Sequence, residues 1–152
     1  LEALGVMRIE KGHVAGNELT GRTSAQQLGL GRMLSTKKDH IGARLARLPT
    51  LDDPTDTQLV GLRPLDHGAQ LASGAHFLPI GSPTTFEHEQ GYVTSVAYSP
   101  SLGHRIALGL LKNGRQRHGE RLRTVDLLRG QETQVEICNP VFIDPQGARL
   151  RG

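Results

Sequence analysis

From Leu59 to Cys138 the apolar residues come in short runs closed by Gly, Pro or Asp, and none of these runs keeps a helical period. The runs are Leu59-Val60-Gly61-Leu62, Gly91-Tyr92-Val93-Thr94-Ser95-Val96-Ala97-Tyr98, Arg105-Ile106-Ala107-Leu108-Gly109-Leu110-Leu111, Leu122 to Leu128 and Thr133 to Cys138. Short β-like segments at such spacing predict a small antiparallel barrel or sandwich. The last two, joined by Arg129-Gly130-Gln131-Glu132, predict a hairpin with a glycine-containing loop.

The chain before these runs reads differently. Leu4, Val6 and Ile9 predict a half-buried strand with Arg8 and Glu10 together on its other face. Thr23 and Ser24 precede Ala25-Gln26-Gln27-Leu28, an N-cap and a short helix stopped by Gly29 and Gly31. Asp39 caps a second predicted helix, with Ile41, Leu45 and Leu48 at helical spacing and Pro49 as its end. The acidic, Pro-containing stretch 51–57 reads as a linker. The expectation is an α+β chain: an α+β section over 1–50, a linker over 51–57 and an all-β module over 58–152. The Leu4–Glu10 pattern starts without a preceding turn, so the chain is expected to be the C-terminal section of a larger polypeptide that holds further functional residues.

Composition narrows the chemistry. Of 152 residues 36% are hydrophobic and 22% charged, an ordinary globular mixture. The longest apolar stretch, Ile106 to Leu111, is far short of the roughly 18 residues of a membrane span. A single cysteine, Cys138, rules out an internal disulfide and any multi-cysteine zinc site. With no secretory leader visible, the expectation is a cytoplasmic protein in a reducing compartment. The seven histidines are scattered singly without His-x-His or His-x-x-x-His spacing, so no metal is expected. Cys138 sits in an apolar strand, where an inert thiol is expected. The Ser99-Pro100-Ser101 turn lacks a nucleophile elbow, and Gly29-Leu30-Gly31-Arg32 lacks the rest of a dinucleotide or phosphate loop. Binding, rather than covalent chemistry by this section, is the reading.

One constellation suggests a ligand. Arg8 and Glu10 would share a strand face, and Lys37 and Lys38 follow the glycine-bounded helix. A carboxylate accepts paired N–H donors from a pterin-like ring, and cations meet a carboxylate tail. The alternative is an Arg8–Glu10 pair on a solvated face beside ordinary surface lysines. The net charge of +3 suits an anionic ligand. Arg115, Arg117, Arg121 and Arg123 lack the interleaved aromatics of a nucleic-acid platform and are expected to form a solvated hairpin face.

Ordered segments along the chain carry a family resemblance. Met7-Arg8-Ile9-Glu10-Lys11-Gly12, Gly16-Asn17-Glu18-Leu19, Leu28-Gly29-Leu30-Gly31-Arg32 and Lys38-Asp39-His40-Ile41-Gly42 occur in its order. So do Gly91-Tyr92-Val93-Thr94-Ser95, Ser99-Pro100-Ser101-Leu102-Gly103 and Pro140-Val141-Phe142-Ile143. The sequence resembles the aminomethyltransferase family of the glycine cleavage T-protein. Within it, Leu34-Ser35-Thr36-Lys37-Lys38-Asp39 and the ending Phe142 to Leu150 are most similar to the C-terminal portion of the α subunits of heterotetrameric sarcosine oxidases.

The resemblance implies the end of a folate-binding α+β lobe (1–50) followed by a small antiparallel β barrel (58–152). It also implies tetrahydrofolate binding, with capture of the one-carbon unit released when sarcosine is oxidatively demethylated to glycine. Family folate contacts carry over to Glu10 and Lys38, with Lys37 as the close alternative and Arg8 as a weaker one. No catalytic residue of the family falls in this chain. FAD, FMN and NAD are expected elsewhere in the complex, and the partners are its other subunits, above all the flavin-bearing β subunit, with no membrane or nucleic acid. The alternatives are a glycine-cleavage-type aminomethyltransferase and a non-catalytic folate- or RNA-binding module.

Overall fold

Six strands pair edge to edge and leave no open edge. In the computed structural model, which describes residues 1–48, 53 and 55–151, they are β1 (Thr57–Pro64), β2 (His76–Pro79), β3 (Gly91–Ser99), β4 (His104–Lys112), β5 (Arg121–Asp126) and β6 (Gln131–Cys138). They close an antiparallel barrel in the order β1-β4-β3-β2-β5-β6, with β6 returning to β1 through Gly61↔Cys138 to Pro64↔Val135. The expected barrel is therefore present. Its unpredicted strand is β2, whose four residues sit among Gly, His and Pro with no alternation to betray them.

Two layers of apolar side chains explain the pattern. Val60, Leu62, Phe77, Val93, Ala107, Leu111, Leu122, Val135 and Ile137 fill the barrel interior. A second cluster lies on the outside: Leu59, Ile106, Leu108 and Leu110 meet Ile9, Leu28 and Phe142. Strand β4 thus sends Ala107 and Leu111 inward and Ile106, Leu108 and Leu110 outward, so both of its faces are covered. That double burial is why its sequence is a continuous apolar run rather than an alternation. Gly109 is needed where it stands, because a Cβ there would lie 2.7 Å from the Phe77 ring.

The segment expected to be a first strand is a helix, α1 (Glu2–Glu10). Gly5 and Val6 are half-buried and Ile9 and Glu10 buried: neighbouring pairs one turn apart share a helix face, whereas on a strand each pair would point to opposite faces. The closed barrel also offers a strand no free edge to join. The correction extends to Arg8 and Glu10: two residues apart on a helix turns them by about 200°, onto different faces. They are not neighbours on a strand face.

The other predicted helices are also shortened. Ser24 caps a single turn through a reciprocal pair, with Gln27 N–H donating to Ser24 Oγ (3.2 Å) and Ser24 N–H to Gln27 Oε1 (2.7 Å). Over 39–48 there is only a three-residue 3-10 turn, Leu45–Arg47. Ile41 is fully exposed and Leu45 and Leu48 are also exposed, so the spacing has no surface to bury against, and Gly42 interrupts it at φ +86°. Pro49 and the linker residues Leu51, Asp52 and Pro54 lie outside the described residues. The β5–β6 loop is Leu127 to Gly130, two residues earlier than expected. Asp126 closes it by accepting from the N–H groups of Leu128 and Arg129, which leaves Leu127 and Leu128 exposed.

After β6 the chain returns to α1. The N–H groups of Phe142 and Ile143 donate to the Glu10 carbonyl at 2.9 and 3.1 Å, and Lys11 Nζ donates to the Asp144 carbonyl at 2.8 Å. A short helix, α2 (Ala148–Arg151), follows, with Asp144 accepting from the first N–H groups.

Candidate functional site

A β-bulge builds the surface on which α1 rests. The β3–β4 register shifts between Val93 and Ser95, so Thr94 is an extra residue. The shift changes which side chains point out: Val93 and Val96 both join the interior, whereas Ser95, Ala97 and Ser99 face α1. The Thr94 carbonyl, freed by the bulge, accepts from Asn17 Nδ2 (2.9 Å) and Ser73 Oγ (2.7 Å).

The two outward serines hold Arg8 and Glu10 of α1 separately. Arg8 donates from Nη2 to Ser95 Oγ (2.7 Å) and from Nη1 to Glu18 Oε2 (3.0 Å). Glu18 is fully buried and also accepts from Ser95 Oγ (2.5 Å) and the Ala15 N–H (2.8 Å). Burial acts to raise its pKa, but the bonds from Ser95, Thr94 and the Ala15 N–H, with the Arg8 charge, outweigh it and hold the carboxyl below its ordinary range. Arg8 is thus committed to Glu18 rather than to Glu10.

Glu10 is 8% exposed, and its Oε1 accepts from Ser99 Oγ at 2.5 Å. Ser99 is itself fully buried, and its Oγ accepts from the Leu102 N–H (3.2 Å) in the β3–β4 turn. Among the described residues Oε2 of Glu10 has no partner. No buried side-chain oxygen among the described residues is left unsatisfied, so Oε2 is an atom that solvent reaches. The result is a carboxylate fixed at one oxygen and open at the other.

Lys37 and Lys38 lie apart from this network on an exposed stretch. Their backbone N–H groups donate to Ser35 Oγ at 3.3 and 3.0 Å, and neither ammonium has a partner among the described residues. Of the four candidates only Arg8 lines the open cleft of about 730 Å³ between α1 and β3, with Glu2, Val6, Tyr98 and Arg105 among its other walls. Glu18, Ser95 and Ser99 were not singled out as site residues by sequence reasoning. The only hint of them was that Glu18 and both serines fall within segments of the family resemblance.

Other candidates are engaged elsewhere. Burial pushes the Cys138 thiol up to about 11, too high for a thiolate at neutral pH. Arg117 pairs with Glu120 (2.7 Å), Arg123 with Glu132 (2.8 Å), and Arg115 donates to the Gln26 carbonyl. Among the described residues no three His, Cys, Asp or Glu side chains gather as a metal site, and no helix is long and apolar enough to cross a membrane.

Comparison with known proteins bears on this arrangement. Residues 57–144 match the family described as the glycine cleavage T-protein C-terminal barrel domain. The chain is 47% identical over 151 residues to a sarcosine oxidase subunit alpha of Rhizobium meliloti (strain 1021), covering 99% of this chain and 15% of that protein. It is 36% identical over 155 residues to a sarcosine oxidase subunit alpha of Corynebacterium sp. (strain P-1), covering 99% of this chain and 16% of that one. The chain therefore spans about one-sixth of the length of these relatives. The fold is similar to the crystal structure of the glycine cleavage system aminomethyltransferase T from Bartonella henselae, with TM-score 0.75 and 22% identity, covering 94% of this chain and 38% of that one.

Proposed function

Since the chain belongs to the family of the glycine cleavage T-protein C-terminal barrel domain, we propose that it serves as the tetrahydrofolate-holding C-terminal part of a sarcosine oxidase α subunit. On this reading it acts in the cytoplasm beside the other subunits of that enzyme, with the flavin-bearing β subunit carrying out the oxidation of sarcosine to glycine. FAD, FMN and NAD then belong to other parts of the complex. The identities to sarcosine oxidase α subunits support this choice within the family.

The observation that carries the proposal is the state of Glu10. A buried carboxylate with one oxygen anchored and the other without a protein partner is an acceptor waiting for donors. The N–H groups of a reduced pterin ring suit it. Such a charge-assisted bond contributes about 1.5–3 kcal/mol. Lys38, with Lys37 beside it, offers an unpaired ammonium to the glutamyl carboxylates. Being exposed, that contact is worth at most about 1 kcal/mol and weakens with salt. Arg8 lines the cleft and contributes positive charge to it while tied to Glu18 and Ser95.

When bound, tetrahydrofolate supplies the amine that takes up the released one-carbon unit, giving methylene-tetrahydrofolate. The residues of this chain bind and orient: Glu10 fixes the ring, the lysines fix the tail, and proximity does the rest. In the complete enzyme, Glu10→Ala is expected to lower the yield of methylene-tetrahydrofolate while peroxide formation from sarcosine continues. Equal loss of both would show that Glu10 only maintains the fold.

A further inference from the structure

The Ser99 hydroxyl fell outside the chemistry considered for the Ser99-Pro100-Ser101 turn, because no nucleophile elbow surrounds it. Its surroundings are nonetheless specific. The side chain is fully buried at the end of β3, with its Oγ taking a hydrogen bond from the Leu102 N–H and giving one to Glu10 Oε1 at 2.5 Å. With its acceptor capacity engaged by the turn, the hydroxyl proton is directed at the carboxylate. The backbone of Glu10 is held independently by the N–H groups of Phe142 and Ile143. Separate segments thus hold one residue: Ser99, at the end of β3 and tied to the β3–β4 turn, fixes the Glu10 side chain, and the stretch after β6 fixes its backbone carbonyl. A surface glutamate kept only for solubility needs none of them.

We infer that Ser99 is a positioning residue for the folate site: it binds one oxygen of Glu10 so that the other faces the ligand in a single orientation. The inference rests on the reading of Glu10 as the pterin acceptor. Its physical content is preorganisation. A glutamate side chain left free samples several rotamers and must be ordered when the ligand arrives, whereas one fixed by a buried hydroxyl has already lost that freedom on folding. The bulge at Thr94 is what makes this possible, because without the extra residue Ser99 would face the barrel interior.

The test uses the complete multi-subunit enzyme, with tetrahydrofolate titrated anaerobically and its Kd read by calorimetry. S99A is expected to raise the Kd about tenfold, and S99T, which keeps the hydroxyl, to return it to within about threefold of the parent. E10A is expected to raise it tenfold or more. In the E10A background S99A should add less than about twofold, because the group it orients is gone. If S99A does not fold, S99C takes its place, filling the site with a slightly larger side chain that is a weaker donor.

The outcomes separate the two levels of the argument. A large effect of E10A with none from S99A or S99C would overturn the positioning role and leave the folate reading standing. An S99A loss that persists undiminished in the E10A background would make Ser99 a structural residue only, and would also overturn it. No change in Kd from E10A would remove both.

Discussion

Glu18 ties α1 to the barrel by accepting from both Arg8 and Ser95. It is a fully buried carboxylate with Arg8, Ser95 Oγ and the Ala15 N–H among the donors around it. Because its folded pKa lies below the ordinary value of 4.5, its contribution is complete above that value and is lost as pH falls through the folded one. Glu18→Gln removes the charge and leaves Arg8 and Ser95 mismatched, which is expected to destabilise the chain by about 2–3 kcal/mol at pH 7. The gap between parent and variant should narrow as pH drops below about 4.5. Urea melts at pH 7 and at pH 3 check both the size and the sign. An equal gap at the two values would mean that the ionised form makes no difference to folding. No spacing along the chain marks this triad, since Glu18 and Ser95 lie 10 and 87 positions from Arg8 and the three are joined only by folding.

Among the elements, β4 and β2 show why some strands are legible and others are not. A strand covered on both faces must be apolar throughout, so β4 announced itself in the composition of Ile106 to Leu111. Strand β2 is short and took its place by pairing with β5 and β3, which no local pattern records. The α1 segment carried three apolar residues that fit a strand loosely, and the absence of any free edge decided for a helix. Close packing between elements gives a sharp expectation at Gly109. A methyl group there would lie 2.7 Å from Phe77 Cζ and 3.0 Å from the Tyr92 carbonyl oxygen, inside contact distance. Gly109→Ala should therefore cost about 1–3 kcal/mol, read as a lower urea midpoint with an unchanged slope. A midpoint equal to that of the parent would mean that the Phe77 ring yields without strain.

Across the whole molecule, stability is concentrated in the barrel and in the α1–tail contact, while much of residues 19–48 is held by local turns. The backbone hydrogen bonds of that stretch mostly span three to five residues, and Ile41, Leu45 and Leu48 are exposed. Hydrogen exchange should accordingly find the amides of β1, β3, β4 and β6 slowest, those of Phe142 and Ile143 slow with them, and most of those from 31 to 48 fast. Protection of 31–48 equal to that of β4 would contradict this division.

By itself the apolar pattern determined an antiparallel β module, a barrel or a sandwich, because alternating or doubly covered apolar runs between Gly, Pro and Asp can be buried in few other ways; the strand pairing decided for the closed barrel. It also determined the lineage, because ordered segments preserve it. What only the tertiary structure decided was the company each polar group keeps. Arg8 went to Glu18 and Ser95, and Glu10 to Ser99, because one extra residue in β3 reversed which side chains face the helix. Hydrophobic pattern is a local property that a linear reading can follow. A hydrogen bond between residues 89 positions apart exists only after the barrel has closed.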